Sequence, residues 1–534
     1  MSNANIETPR SGGLLGLIER VGNALPDPVT LFFLGSVGVI FLSEFAAQTG
    51  WEVTNPVTEE VEQVTSLFSA EGMQWVWDNM VVNFTGFAPL GVVLVAMLGI
   101  GVAEHSGLIG ALLKGMVLIT PSKLMTPAII FVGVMSSMAL DAGYVILPPL
   151  AAAVFAKSGR SPLVGLGAVF AGVGAGFSAN LLITSLDPLL QSFTQEAANV
   201  LAPNYVVDVR CNYYFMIAST FIIPLVGWFV TSKFVEPKFG EAEIAEQIAA
   251  GEASAESDAD GSTDKKSDDE NTTRLSPKEI TGMIYAGIFL TVGLSLILAM
   301  IHVPDWSLNG FVEPRPGWKV PAWVHAMVPL LAVLFLLPGI GYGIAVGTVR
   351  SDRDVASMMA KTMGSMGGYV VLAFFAGQFV AWFSHSNLGK MIALEGVAVL
   401  QQASLPLPLL VIAIVLLSAT LNIFIGSASA KWALISTVFV PIFMGVGISP
   451  ELTQAAYRVG DSVTNAITPL NPYMVIMLVF MRRYAPKAGI GTVVSLMLPY
   501  TIAFFIAWTL LLAVWMALGI PLGPGGSEMF IDPI

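Results

Sequence analysis

Arg458 and Asp461 stand three residues apart in a stretch, 452–480, that is otherwise uncharged. On a helix that spacing puts both side chains on one face. An arginine there can hold a carboxylate through two parallel hydrogen bonds, with the aspartate orienting it or taking up a proton. A static ion pair is the alternative. Thr464, Asn465, Thr468 and Asn471 follow as a polar run that includes Pro469 and ends at Pro472, which suits a break in the helix. Asp187 has a similar setting, beside Asn180, Thr184 and Pro188. A buried carboxylate can bind and release a proton, or ligate Na+ while ionised. It can equally cap the next half-helix, and the two roles can coexist.

Trp432 and Lys431 follow the small-residue stretch Gly426–Ser429, and Asn422 precedes it. A Trp there can stack on an aromatic ligand, though packing Trp residues are commoner. Asn422 is an amide at membrane depth, either a ligand hydrogen bond or glue between helices. Asn180, Ser429 and Asn465 are candidate oxygen donors to Na+. Asp141, the Glu104–His105 pair and His385 lie at segment ends and read as caps or interface residues.

The elements that carry these residues are membrane helices. The chain is 55% apolar and 11% charged, too little charge to cover a soluble domain's surface. Uncharged runs such as Val328–Val346 and Val493–Leu518 are long enough to cross a ~30 Å hydrocarbon core. Barrel strands would instead alternate apolar and polar residues. Spans are expected near 29–49, 86–104, 162–185, 213–232, 279–301, 323–345, 364–384, 452–480 and 489–519. A single cysteine, Cys211, excludes an intramolecular disulfide. The first span has no cleavage pattern after it and reads as retained.

Residues 50–113 contain no Lys or Arg and should lie outside. The connections holding Lys114, Lys123, Lys157 and Arg160, then Lys233 and Lys238, Arg350 to Lys361, and Arg482 to Lys487 should be cytoplasmic. Nine spans then place the N-terminus inside and the C-terminus outside. Residues 125–155 and 405–448 must return to their starting side, as two re-entrant hairpins. The divisions are a cytoplasmic segment 1–28, a first half 29–235, a linker 236–278, connecting helices 279–363, a second half 364–520 and a tail 521–534. Of the net charge of −13, residues 240–270 contribute −9, from eleven acids against Lys265 and Lys266, which reads as a disordered acidic linker.

Three short matches recur in the same order. HSGL at 105–108 answers HSNL at 385–388, and Ser137 with Pro149 answers Ser429 with Pro441. SANLLITSLDP at 178–188 answers SVTNAITPLNP at 462–472. The repeat units run about 86–190 and 364–475, and the charge-based topology makes them inverted. Inverted repeats with paired hairpins and broken helices are a plan of secondary transporters. There is no G-x-x-x-x-G-K-[ST] for an ATPase of its own, no H-E-x-x-H and no G-x-S-x-G.

The segments NFTGFAPLG at 83–91, DAGYVILPP at 141–149, AGFSANLLITSLDPLL at 175–190, SASAKWALISTVFVPIFM at 427–444 and YRVGDSVTNAITPLNPY at 457–473 resemble the p-aminobenzoyl-glutamate transporter (AbgT) family. The resemblance extends over nearly the whole chain outside the acidic linker. It implies an all-α polytopic fold with nine transmembrane helices, two hairpins and a cavity open to the cytoplasm, in a bacterial inner-membrane homodimer. It also implies cation-coupled uptake or efflux of p-aminobenzoyl-glutamate or p-aminobenzoate-like antimetabolites such as sulfonamides.

Carried over by position, the family's site falls on Asp187, Asn422, Trp432, Pro450, Arg458 and Asp461. Pro450 sits in a Gly-x-Ser-Pro turn and reads equally as the start of the next helix. On this basis Trp432 stacks on the arene, Arg458 pairs with a carboxylate and Asn422 bonds the amide. Asp187 and Asp461, with Asn180, Thr184, Asn465, Thr468 and Asn471, couple transport to H+ or Na+. No cofactor and no nucleic-acid partner are expected; the partners are a small aromatic solute and lipid. A channel and, less readily, a membrane-embedded amide hydrolase are the alternatives.

Overall fold

The structure is a computed structural model and describes residues 26–533, except 27, 55–60, 119, 122–123, 140–141, 260–274, 316–317, 469–470, 472 and 525–527. Asp141 and the N-terminal segment up to 25 thus lie outside the described residues. The chain is helical, with two short antiparallel strand pairs, Glu52–Thr54 with Val61–Gln63 and Phe311–Arg315 with Trp318–Pro321.

The first half runs through α1 (Pro28–Thr49), α2 (Ala70–Thr85), α3 (Ala88–His105), α4 (Leu108–Leu118), α5 (Met125–Met135), α6 (Ala142–Lys157), α7 (Pro162–Phe170), α8 (Leu186–Ala198) and α9 (Tyr213–Val230). Next come α10 (Glu241–Ala259), α11 (Pro277–His302), α12 (Met327–Val346) and α13 (Asp352–Ser365). The second half holds α14 (Gly367–His385), α15 (Leu388–Ala403), α16 (Leu407–Phe424), α17 (Ala428–Gly445), α18 (Pro450–Val463), α19 (Tyr473–Tyr484) and α20 (Ile490–Leu518).

Local chemistry sets many of these boundaries. Pro277 at the first helical position and a reciprocal Ser276–Glu279 capping box start α11. Glycines in the left-handed region, Gly347 and Gly519, stop α12 and α20.

Nine described helical runs are long and apolar enough to cross a membrane; seven coincide with expected spans and two do not. The stretches 162–185 and 452–480 are broken into short helices, while both arms of the second hairpin, α16 and α17, have 18 residues each. Such an arm is about 27 Å long, nearly the hydrocarbon thickness. Hydropathy alone cannot tell a spanning helix from a long arm that turns back. Upstream, α2 occupies part of the expected outer loop and runs almost directly into α3.

The two halves share a packing device. In the second, Thr464 and Thr468 donate to the carbonyls of Ala419 and Ile423, and Gly460 lies against the Val415 carbonyl, so α16 and α18 run parallel. In the first, Gly172, just past α7, lies against the Ile130 carbonyl of α5. Each hairpin's first arm therefore presses its backbone on the broken helix that follows, at a glycine. The order of hairpin then broken helix is common to both halves.

The acidic linker, expected to be disordered, is helical in part. Residues 241–259 form α10, whose Gln247 accepts a buried hydrogen bond from Ser161 (2.6 Å), while Ser254 donates to the Arg483 carbonyl (3.3 Å). Gly251 lies against the Tyr484 ring. The helix thus straps the start of α7 to the end of α19; residues 260–274 lie outside the described set. At this end of the molecule Arg160 also pairs with Glu236 (2.6 Å). At the far end of α20, about 43 Å away by helix length, the tail meets other loops. Ser449 bonds Met529, Phe215 bonds Leu522, and Asn212 bonds the Glu451 carbonyl.

A Cβ at Gly460 would stand 2.2 Å from the Val415 oxygen, whereas one at Gly38 meets nothing within 4 Å. Gly460→Val should therefore destabilise the protein by about 1–3 kcal/mol or more, seen as a lower Tm of the detergent-purified protein. Gly38→Val should leave Tm nearly unchanged.

Candidate functional site

Every residue of α18 from Pro450 to Val463 is buried, and its two charged groups near the C-terminal end reach in different directions. Arg458 Nη1 donates to Asp187 Oδ1 at 2.6 Å, and Lys431 Nζ donates to Asp461 Oδ1 at 2.6 Å. The expected orienting of Arg458 by Asp461 is thus corrected. The shared helix face is right, but the long guanidinium stem crosses to α8 in the other half. The short Asp461 side chain meets the hairpin tip instead. Side-chain exposure is 5% and 2% for the first pair, 0% and 2% for the second.

Asp187 caps the next helix, one of its two expected readings, while pairing with Arg458. Its second oxygen accepts from the Thr184 N–H (2.6 Å) and hydroxyl (2.9 Å), closing the turn that leads into α8. The break itself supplies these partners: α7 gives way to a π-type turn, Ala171–Ala175, then to irregular backbone. Ser178 N–H, in that backbone, donates to Ser462 Oγ across the halves (3.2 Å). Arg458 is only partly satisfied. Nη2 reaches the Ser178 carbonyl at 3.4 Å, and Nε finds no acceptor among the described residues.

Around the second pair, Lys431 also donates to Asn422 Oδ1. Asn422 Nδ2 in turn contacts the Asp461 carbonyl (2.5 Å), Thr464 Oγ1 (2.9 Å) and Asn465 Oδ1 (2.8 Å). Tyr457 donates to Asp461 Oδ1 (3.1 Å) or to the Ala428 carbonyl (2.5 Å). The hairpin tip and the broken helix are therefore tied by one network whose members are all buried or nearly so.

Other expected residues are placed less centrally. Trp432 is fully buried, stacked on Tyr457 at 4.4 Å, with its N–H donated to Thr194 Oγ1 (2.9 Å) and the Leu190 carbonyl (3.1 Å) of α8. In this arrangement the indole braces α17 against α8, and one ring face is already covered. Pro450 starts α18, about 12 Å along the axis from Arg458.

Asn180 donates to Ser137 in its own half's hairpin (2.9 Å), and Ser429 faces Ser427 (3.4 Å). Asn465 reaches toward the Gly174 carbonyl (3.4 Å) and accepts from Asn471 at its own carbonyl (2.9 Å). Among the described residues no hydrogen bond joins Asn180, Ser429 and Asn465 into one cation site. His385 stacks on Trp75 (3.6 Å), lining a cavity of about 500 Å³ with Phe87 and Glu196, away from the charge cluster.

Sequence reasoning named Lys431 without giving it a role and passed over Tyr457. A signal existed for the lysine: it is a charge inside an otherwise uncharged run, 396–450, just beyond a helix break. Tyr457 carried none.

One buried ion pair joins the two broken helices and another joins a hairpin tip to one of them, within a bundle of membrane-length helices, which is the plan of a polytopic membrane transporter. The sequence profile of the AbgT transporter family matches residues 13–530, and the chain belongs to that family. It is 34% identical over 530 residues to the p-aminobenzoyl-glutamate transport protein of Escherichia coli (strain K12), covering 98% of this chain and 99% of that protein.

Two solved structures are similar as well. The Alcanivorax borkumensis YdaH transporter has TM-score 0.83 at 40% identity, over 93% of this chain and all of that one. Neisseria gonorrhoeae MtrF, described within a class of antimetabolite efflux pumps, has TM-score 0.85 at 39% identity, over 96% of this chain and all of that one. These relatives are transporters, which sets aside the amide-hydrolase alternative.

Removing one partner of a buried pair leaves an uncompensated charge and costs about 3–5 kcal/mol. Arg458→Gln alone should therefore destabilise strongly, and Arg458→Gln with Asp187→Asn much less than the sum of the singles. Unfolding of the purified variants as a double-mutant cycle measures this coupling.

Proposed function

We propose that the chain is a cation-coupled secondary transporter of p-aminobenzoyl-glutamate or related aromatic acids and antimetabolites, in the bacterial inner membrane. The observation that carries the reading is Arg458: a buried guanidinium with one good hydrogen bond and a free Nε edge among the described residues. A planar fork in that condition is suited to a carboxylate, which takes two parallel bonds from it. The name of the Escherichia coli relative supports a solute that carries carboxylates on an arene amide.

The charge balance then supplies the coupling. Lys431 and Arg458 offset Asp187 and Asp461, so the cluster is neutral. A substrate carboxylate that replaces Asp187 on Arg458 leaves an extra negative charge in a desolvated site. Such charge is not tolerated unpaired. A proton or Na+ on the freed carboxylate restores neutrality, so solute and cation move together. The carboxylate, amide and hydroxyl oxygens present suit either ion. Asn422 and Trp432 would meet the amide and arene only after exchanging their present partners, Lys431 and Tyr457, which links binding to movement of the hairpin tip.

Topology fits this reading. Lys157, Arg160, Lys233, Lys238, Arg482, Arg483 and Lys487 belong to connections at the α10 end, which would be cytoplasmic. The N-terminus is then inside and the C-terminus periplasmic, and the repeats are inverted. A homodimer embedded in lipid is part of the same proposal.

Flux of labelled p-aminobenzoyl-glutamate and of a sulfonamide in oriented proteoliposomes, with pH and Na+ gradients imposed separately, tests it. Accumulation against a gradient is expected, with Arg458→Ala lowering flux by roughly a hundredfold or more (~3 kcal/mol of a charge-assisted contact). Equilibration without accumulation would instead describe a channel.

A further inference from the structure

Lys431 does not enter the scheme above except as a counter-charge, yet its position is specific. It lies in the first turn of α17, directly after the hairpin tip, where the N-terminal end of a helix disfavours a cation. It is not hydrated by exposure: its side chain is 0% accessible. What holds the ammonium is Asp461 Oδ1 at 2.6 Å, helped by Asn422 Oδ1. A buried ion pair of this kind seldom stabilises a fold relative to apolar residues of the same volume. Its partners also sit on two separate elements, the hairpin and the broken helix, so it can open when either moves.

The pair has the same form as its neighbour. Arg458 and Lys431 are two cations, each held by an aspartate. Asp461 and Arg458 are three residues apart on α18, so the two ion pairs branch from one short stretch of that helix, one toward α8 and the other toward the hairpin tip. A solute with two carboxylates could therefore meet one cation at α8 and the other at the hairpin tip.

We propose that Lys431 is a second anion seat, kept closed by Asp461, and that the cluster is matched to a dianionic solute. The inference rests on the carboxylate role given to Arg458 above. A dianion places one carboxylate on Arg458 and the other on Lys431, releasing Asp187 and Asp461. Each released aspartate takes one proton or one monovalent cation, so two positive charges enter with two negative ones and the site stays neutral. No bond other than hydrogen bonds and ion pairs changes. A monoanion needs only the Arg458 seat and one cation, and leaves Lys431 on Asp461.

The test compares binding of p-aminobenzoyl-glutamate, with two carboxylates, and p-aminobenzoate, with one, to the full-length purified protein by calorimetry or ligand-induced thermal shift. The wild type should favour the dianion by about tenfold or more, the scale of one charge-assisted contact. Lys431→Gln should bring the two affinities close together, and Lys431→Arg should keep the preference. Because Lys431→Gln leaves Asp461 alone, Lys431→Gln with Asp461→Asn keeps the cluster neutral and should show the same loss of preference.

A preference that survives in the folded double variant overturns the inference. So does an equal fall in both affinities, which marks a purely structural lysine, or a wild type without preference. Gradient-driven flux is read separately. Selective binding without accumulation would contradict the proposed coupling while leaving the two-seat site intact.

Discussion

The ion pair between Arg458 and Asp187 is the constraint on which the rest of the site depends. Each charge would cost several kcal/mol to bury alone, so the pair exists only where two elements bring opposite charges together away from water. Asp187 is available there because α7 ends early, and the irregular backbone from Gly176 to Ser185 turns its carboxylate toward α18. The same backbone offers the Ser178 carbonyl and N–H to Arg458 and Ser462. A continuous helix would have spent those groups on itself. Breaking the helix is thus what lets one half contact the other in polar terms.

The remaining architecture keeps that contact in place. Glycines at Gly172 and Gly460 let each hairpin's first arm approach the broken helix at backbone distance. Trp432 ties the hairpin to α8 just above Asp187, and Tyr457 packs on the same indole while facing Asp461. The halves are alike in plan and unlike in charge. Three of the four cluster residues come from the second half, and Arg458 aligns with Gly174 in the first. Each half has its break, but both cations, Arg458 and Lys431, lie in the second.

Much of this was legible in the sequence. The hairpins at 125–155 and 405–448, the two breaks and the AbgT membership are visible in apolar run lengths, polar runs and motifs. The pairing was not. A three-residue spacing says that Arg458 and Asp461 share a face, but not which of them has the reach to meet another element. Lys431 was given no role because its partner lies thirty residues on, a distance no local pattern reports. Composition likewise made 240–270 read as a chain without a core. Helix α10 is nonetheless anchored through a few residues, Gln247, Gly251 and Ser254, whose contribution an average over the segment conceals.

A carboxylate solute that enters this neutral cluster would have to bring its own counter-charge. The most direct measurement is the affinity of the purified protein for p-aminobenzoyl-glutamate as a function of proton and Na+ concentration, each varied with the other fixed. Affinity should rise with at least one of the two ions, and this rise should disappear when Asp187 and Asp461 are both replaced by Asn. An affinity indifferent to both ions in the wild-type protein would contradict it.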